Sequence, residues 1–193
     1  IILYIERTRK IYPRARIFII TNAIKLMSMP NEFFDACRNL KIELSITVYP
    51  PMKDAMPKIY EFLKSEGIEF DREVEVGMGR HELIQKFSIH QSRYPQSDRK
   101  FFYRCYEASC NTLYEGKIAA CPYSFMTKYF NEYFGTNLPT DGAIDIYDSN
   151  LTTSILKHRL LTPFERCKFC TIYKTIPWQK IGNPSTLDDW ILD

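Results

Sequence analysis

Apolar residues recur at helical spacing from the first residue, with Ile2, Ile5 and Tyr12 near one face among charges, and Pro13 stops the pattern. Residues 16–22 carry the continuous apolar run Ile17-Phe18-Ile19-Ile20, which predicts a short strand buried on both faces. Met29-Pro30-Asn31-Glu32 then opens a second helix that places Phe33, Phe34, Cys37 and Leu40 at helical spacing. Residues 42–49 read as a second strand ended by Pro50-Pro51. A third helix is predicted over residues 53–65, its stripe made of Met56, Ile59, Tyr60 and Leu63. Gly67 stands where a helix C-cap glycine belongs, and Ile68-Glu69-Phe70 begins a third strand.

Strands alternating with helices of this length argue for β-α-β units on a parallel sheet. Three strands alone would leave exposed edges, and units upstream of Ile1 would remove one of them. The chain also opens Ile1-Ile2-Leu3-Tyr4, without Met, basic leader or small-residue cleavage site. Both features lead to the expectation that this is the C-terminal piece of a longer chain. Gly77-Met78-Gly79-Arg80 and the polar segment from His90 to Asp98 punctuate the sequence, so a domain boundary is expected near residue 95. Beyond it, Glu115-Gly116 between apolar flanks predicts a hairpin over residues 111–120, and helices are expected over 125–134 and 150–160.

With 45% hydrophobic and 25% charged residues among 193, the chain has the means to bury a core. A formal net charge of +3 is too small to imply a polyanionic partner by itself. No run of about 18 apolar residues occurs, so no membrane partner is expected.

Cysteine changes the picture. Of 6 cysteines, Cys37 sits on the apolar face of the second predicted helix and reads as core. The others form Cys105-x4-Cys110-x10-Cys121 and, later, Cys167-x2-Cys170. A Cys-x2-Cys pair turns two thiolates toward one point, as a tetrahedral metal or a cluster corner requires. The earlier group brackets the predicted hairpin and could face the same centre, with Cys121-Pro122 a step common beside iron–sulfur cubanes. An odd number of clustered cysteines and no secretion signal argue against a disulfide framework. His81, His90 and His158 are isolated from the cysteines. All-thiolate ligation by most of the five suits either zinc or an iron–sulfur cluster.

These residues resemble a family. Ile19-Ile20-Thr21-Asn22-Ala23, a helix, and then Leu44-Ser45-Ile46-Thr47 look like the third and fourth strands of a radical S-adenosylmethionine core, whose third strand typically ends Thr-Asn-Gly. Cys105, Gly116 and Cys121, followed by Cys167-x2-Cys170, resemble the SPASM/twitch extension that binds an auxiliary 4Fe–4S cluster. The resemblance implies an α/β fold: the C-terminal part of a partial (β/α)6 TIM-like barrel in residues 1–95, then a small α+β cysteine-rich SPASM/twitch-like domain in 96–193. It implies Cys105, Cys121, Cys167 and Cys170 as cluster ligands, with Cys110 the spare that could displace Cys105. Asn22 and Ser45 would lie at the C-terminal ends of barrel strands, where cofactors bind, or simply cap those ends.

The Cys-x3-Cys-x2-Cys loop of the catalytic cluster and the Gly-Gly-Glu segment are absent from these residues. S-adenosylmethionine and a second 4Fe–4S cluster would therefore belong to a full-length parent, and this chain alone is expected to be inactive. The implied setting is cytoplasmic, with a flavodoxin or ferredoxin as electron donor and a peptide, sugar or small molecule as substrate. A different reading starts from Arg99-Lys100-Phe101-Phe102-Tyr103-Arg104, a basic and aromatic flank leading into Cys105. On a zinc ribbon it could bind single-stranded nucleic acid or a protein, although Asp98 and Glu107 dilute its charge.

Overall fold

The computed structural model describes residues 1–70, 86–95, 99–177 and 184–191. The chain is mixed α/β with small sheets and divides into two compact units, Ile1–Phe87 and Ser88–Asp193. The division falls ahead of the expected boundary near residue 95, inside strand β3 (Lys86–Gln91). That strand pairs with β7 (Cys170–Pro177), and the Ser92 N–H continues the pairing by donating to the Phe169 carbonyl at 2.8 Å. The residues around 90 are thereby tied into the second unit. Gly77 to Arg80 and Gln96 to Asp98 lie outside the described residues.

In the first unit, helix α1 (Ile2–Ile11) buries Ile5 and anchors through Arg9. The Arg9 guanidinium donates to the carbonyls of Ala15 at 2.6 Å, Leu40 at 2.9 Å and Lys41 at 3.0 Å. Strands β1 (Ile17–Thr21) and β2 (Ile42–Ile46) pair in parallel, Ile17 opposite Ile42 through Thr21 opposite Ile46. Helix α2 (Asn31–Asn39) contributes Phe33, Phe34 and Cys37 to the core, and α3 (Met56–Ser65) contributes Met56, Ile59 and Leu63. Each such large apolar side chain contributes about 1.5–3 kcal/mol by leaving water. Pro50 and Pro51 open a 3₁₀ turn (Pro50–Ala55), which delays the start of α3 to Met56. Gly67, at φ +65°, takes the left-handed position after that helix.

The expectation that the first strand is buried on both faces is corrected. All five residues of β2 are buried, but β1 alternates, leaving Phe18 43% and Ile20 61% exposed. The reason is position. β2 has β1 on one side and a parallel bridge from Leu44 to Phe70 on the other, whereas β1 has only β2 among the described residues. The third expected strand is that single bridge within the described residues, with the Leu44 N–H donating to the Glu69 carbonyl at 2.9 Å.

In the second unit, β4 (Thr112–Tyr114) and β5 (Lys117–Ala119) form the expected hairpin, and β6 (Ile144–Asp145) adds to β5. Glu115 at φ 47° and Gly116 at φ 71° make the two-residue turn whose twist suits an antiparallel pair. Glycine suits the second position, where the backbone is left-handed and a Cβ would push the exposed Tyr147 ring aside from 2.7 Å. Helix α4 (Tyr123–Phe134) ends at Gly135 in the left-handed conformation, and α5 (Thr153–Leu160) is capped by Thr152. Among the described residues, no helix is long and apolar enough to cross a membrane.

Candidate metal centre

Each cysteine of the second unit is fixed by local backbone structure. Cys105 joins two short 3₁₀ turns (Arg99–Arg104 and Tyr106–Ser109); its N–H donates to the Phe102 carbonyl at 3.1 Å, and its own carbonyl accepts from Ala108 at 3.2 Å. Cys121 follows the buried end of β5, and its carbonyl accepts from Ser124 as α4 begins. Cys167 lies in a 3₁₀ turn (Glu165–Phe169), and Cys170 is the first residue of β7. Asp141 holds the start of that turn, its two carboxylate oxygens accepting from the backbone N–H groups of Glu165 at 2.6 Å and Arg166 at 3.0 Å. The next residue, Gly142, has φ +95°, and a Cβ there would meet the Phe164 ring at 2.8 Å.

Cys105, Cys121, Cys167 and Cys170 all line one cavity, together with Phe102, Ala108, Tyr123, Phe164 and Arg166. The cavity is small, about 20 Å³, and partly open to solvent. Cys121, Cys167 and Cys170 are buried, Cys105 is half-buried, and all are free thiols. Cys110 is exposed and is not among the residues lining the cavity. Cys37 is buried in the core of the first unit. His158 is exposed on α5, and His81 lies outside the described residues.

The environment opposes charge on isolated thiols. Burial pushes Cys121 up to about 12, and its neighbours Cys170, Cys105 and Glu107 add to the rise, against a lowering hydrogen bond from the Tyr123 backbone. Burial likewise pushes Cys170 up to about 11, while the nearby Arg166 cation pulls the other way. Cys167 is raised for the same first reason. Arg166 is the buried cation of the wall, 1% exposed. Its Nε donates to Thr127 Oγ1 at 3.1 Å, its Nη1 lies 3.8 Å from Cys170 Sγ, and its guanidinium carbon is 5.7 Å from the centre of the Tyr123 ring.

Such a donor set suits a core that accepts several thiolates at once and keeps them charged. Among the described residues there is no group of three or more His, Cys, Asp or Glu side chains that could hold a metal ion. The four thiols border a space rather than gather around one ion. Four thiols on one cavity are a donor set that either a zinc ion or an iron–sulfur core could use.

Asn22 and Ser45 belong to the first unit. Asn22 follows β1, lines a separate cavity with Thr21, Lys25 and Leu26, and accepts from the Ile24 N–H at 3.2 Å through Oδ1. Ala23 beside it takes a left-handed φ of 61°. Ser45 is buried within β2 opposite Ile20 and is not among the residues lining that cavity, so the two are not brought to one site.

Arg166, Asp141 and Tyr123 carry no signal that the spacing of cysteines could have revealed. The one clue in the sequence was a basic residue directly before Cys167. No protein-family model matches the chain, and no curated protein matches it.

Proposed function

We propose that the second unit is an iron–sulfur domain holding a 4Fe–4S cluster on Cys105, Cys121, Cys167 and Cys170. One observation carries this: thiols from two stretches more than forty residues apart in sequence line a single cavity. A cluster there would accept or relay an electron, or help hold a substrate.

Together with the Thr21-Asn22-Ala23 strand end, this is the pattern of a radical S-adenosylmethionine protein with a SPASM/twitch-like auxiliary domain, built on a partial (β/α)6 barrel. S-adenosylmethionine, a catalytic 4Fe–4S cluster and the substrate, whether peptide, sugar or small molecule, then belong to the full-length parent. A flavodoxin or ferredoxin would reduce it, and the reducing cytoplasm suits a protein whose described cysteines are free thiols. Asn22 is the better placed of the two first-unit candidates for cofactor contact, since it borders a cavity and Ser45 does not.

The test is anaerobic purification with assays of iron, acid-labile sulfide and zinc. About four iron and four sulfide per chain support the proposal. One zinc without sulfide would replace it with a zinc-ribbon-like binding module for nucleic acid or protein. Neither metal bound would overturn both.

A further inference from the structure

We propose that Arg166 is a positioning and charge-setting residue for this centre: its buried guanidinium, held against Cys170, raises the cluster's reduction potential. This rests on the cluster assignment above and extends it to a residue that supplies no ligand.

The geometry is specific. Arg166 is 1% exposed, an environment in which a guanidinium is retained only where it meets polar or charged partners. Nε is fixed by Thr127 Oγ1 at 3.1 Å, and that hydroxyl is itself fixed by donating to the Tyr123 carbonyl at 2.6 Å. The Tyr123 ring lies 5.7 Å from the guanidinium carbon. So anchored, Nη1 stands 3.8 Å from Cys170 Sγ, within reach of an N–H···S contact. The Arg166 backbone N–H is taken by Asp141, which ties the same residue to the turn bearing Cys167.

A cluster on four thiolates carries net negative charge, and reduction adds one more. A fixed cation beside a ligand sulfur favours the reduced state, and a hydrogen bond to that sulfur acts in the same direction. Arginine suits the position because its planar fork can bond Thr127 and the sulfur at once, which an ammonium on a flexible stem does less well.

The experiment compares the anaerobically purified chain with R166K and R166M by iron and sulfide content and by the midpoint of a redox titration. Retained cluster, a midpoint shifted negative in R166M and an intermediate value in R166K are expected. A retained cluster with an unchanged or more positive midpoint overturns the role of Arg166 and leaves the cluster assignment standing. A wild-type chain without iron and sulfide instead defeats the assignment itself. Should R166M fail to fold or load, wild-type protein labelled with ¹⁵N-arginine decides by pulsed electron–nuclear spectroscopy of the reduced cluster. A ¹⁵N hyperfine coupling supports the contact, and its absence overturns it.

Discussion

Alkylation kinetics distinguish thiols of the cavity from those of the surface. Cys121 is pushed from an ordinary value near 9 to about 12, and Cys170 to about 11, burial being the first cause of each. At neutral pH these rises cut the reactive thiolate fraction about a thousand-fold and a hundred-fold. A more basic thiolate is a better nucleophile, which returns about twenty-fold and eight-fold and leaves net slowing of about fifty-fold and ten-fold before access is counted. In reduced, metal-free protein treated with iodoacetamide at pH 7 and followed by peptide mass spectrometry, exposed Cys110 should therefore label first. Half-buried Cys105 should follow, and buried Cys121 and Cys170 should label last. Loading the cluster should then protect Cys105 while Cys110 stays reactive. Equal rates at Cys121 and Cys110, in protein whose circular dichroism shows the fold intact, would refute the burial on which the site depends. Protection of Cys110 in place of Cys105 would reassign the fourth ligand.

The remaining predictions concern the frame around the site. Burial raises Cys37 to about 11, above its unfolded value, so its contribution to stability is complete below pH 9 and lost as pH rises toward 11. Urea unfolding from pH 8 to 11 should show a steeper fall for wild type than for Cys37→Ala, and parallel slopes would refute this. Gly142→Ala meets the Phe164 ring at 2.8 Å and Ser124 Oγ at 2.6 Å on a left-handed backbone, and should cost about 2 kcal/mol or more. A lower thermal midpoint and reduced iron content would register it, and an unchanged midpoint would count against the packing described. Ala23→Gly relieves a positive φ worth about 1 kcal/mol and loses one buried methyl worth about 0.8 kcal/mol, so stability should barely change. Ala36→Gly inside α2 should cost about 1 kcal/mol, and equal losses at the two positions would contradict the left-handed backbone at Ala23.

Helices α1, α2 and α3 were legible because each repeats apolar residues at one period, and α1 and α3 also stop at a marked residue, Pro13 or Gly67. The hairpin was legible from Glu115-Gly116, whose turn demands two left-handed residues. Solvent exposure of β1 was not. Ile17-Phe18-Ile19-Ile20 has the composition of a central strand, and composition cannot tell whether a second neighbour exists. Likewise β6 is only two residues long and carries no periodicity, and the pairing of β3 with β7 joins segments some eighty residues apart, so each is set by tertiary contact alone.

The candidate site divides along the same line. Cysteine identity and spacing pointed to five clustered thiols, and the resemblance chose from them the four that border the cavity. They did not name what surrounds those thiols. Asp141 reaches back to the turn of Cys167 from more than twenty residues away in sequence, and Arg166 is held by Thr127 from a different helix. Neither partner has a fixed offset from a cysteine, so no spacing rule can find it, although both act on the same short turn. The cysteine positions are thus readable from sequence, but the charge and rigidity around them exist only once Thr127 and Asp141 have been folded against Arg166. On the proposed cluster, the sharpest difference between this chain and another with the same four cysteines should lie at position 166, in the cluster's potential and not in its binding.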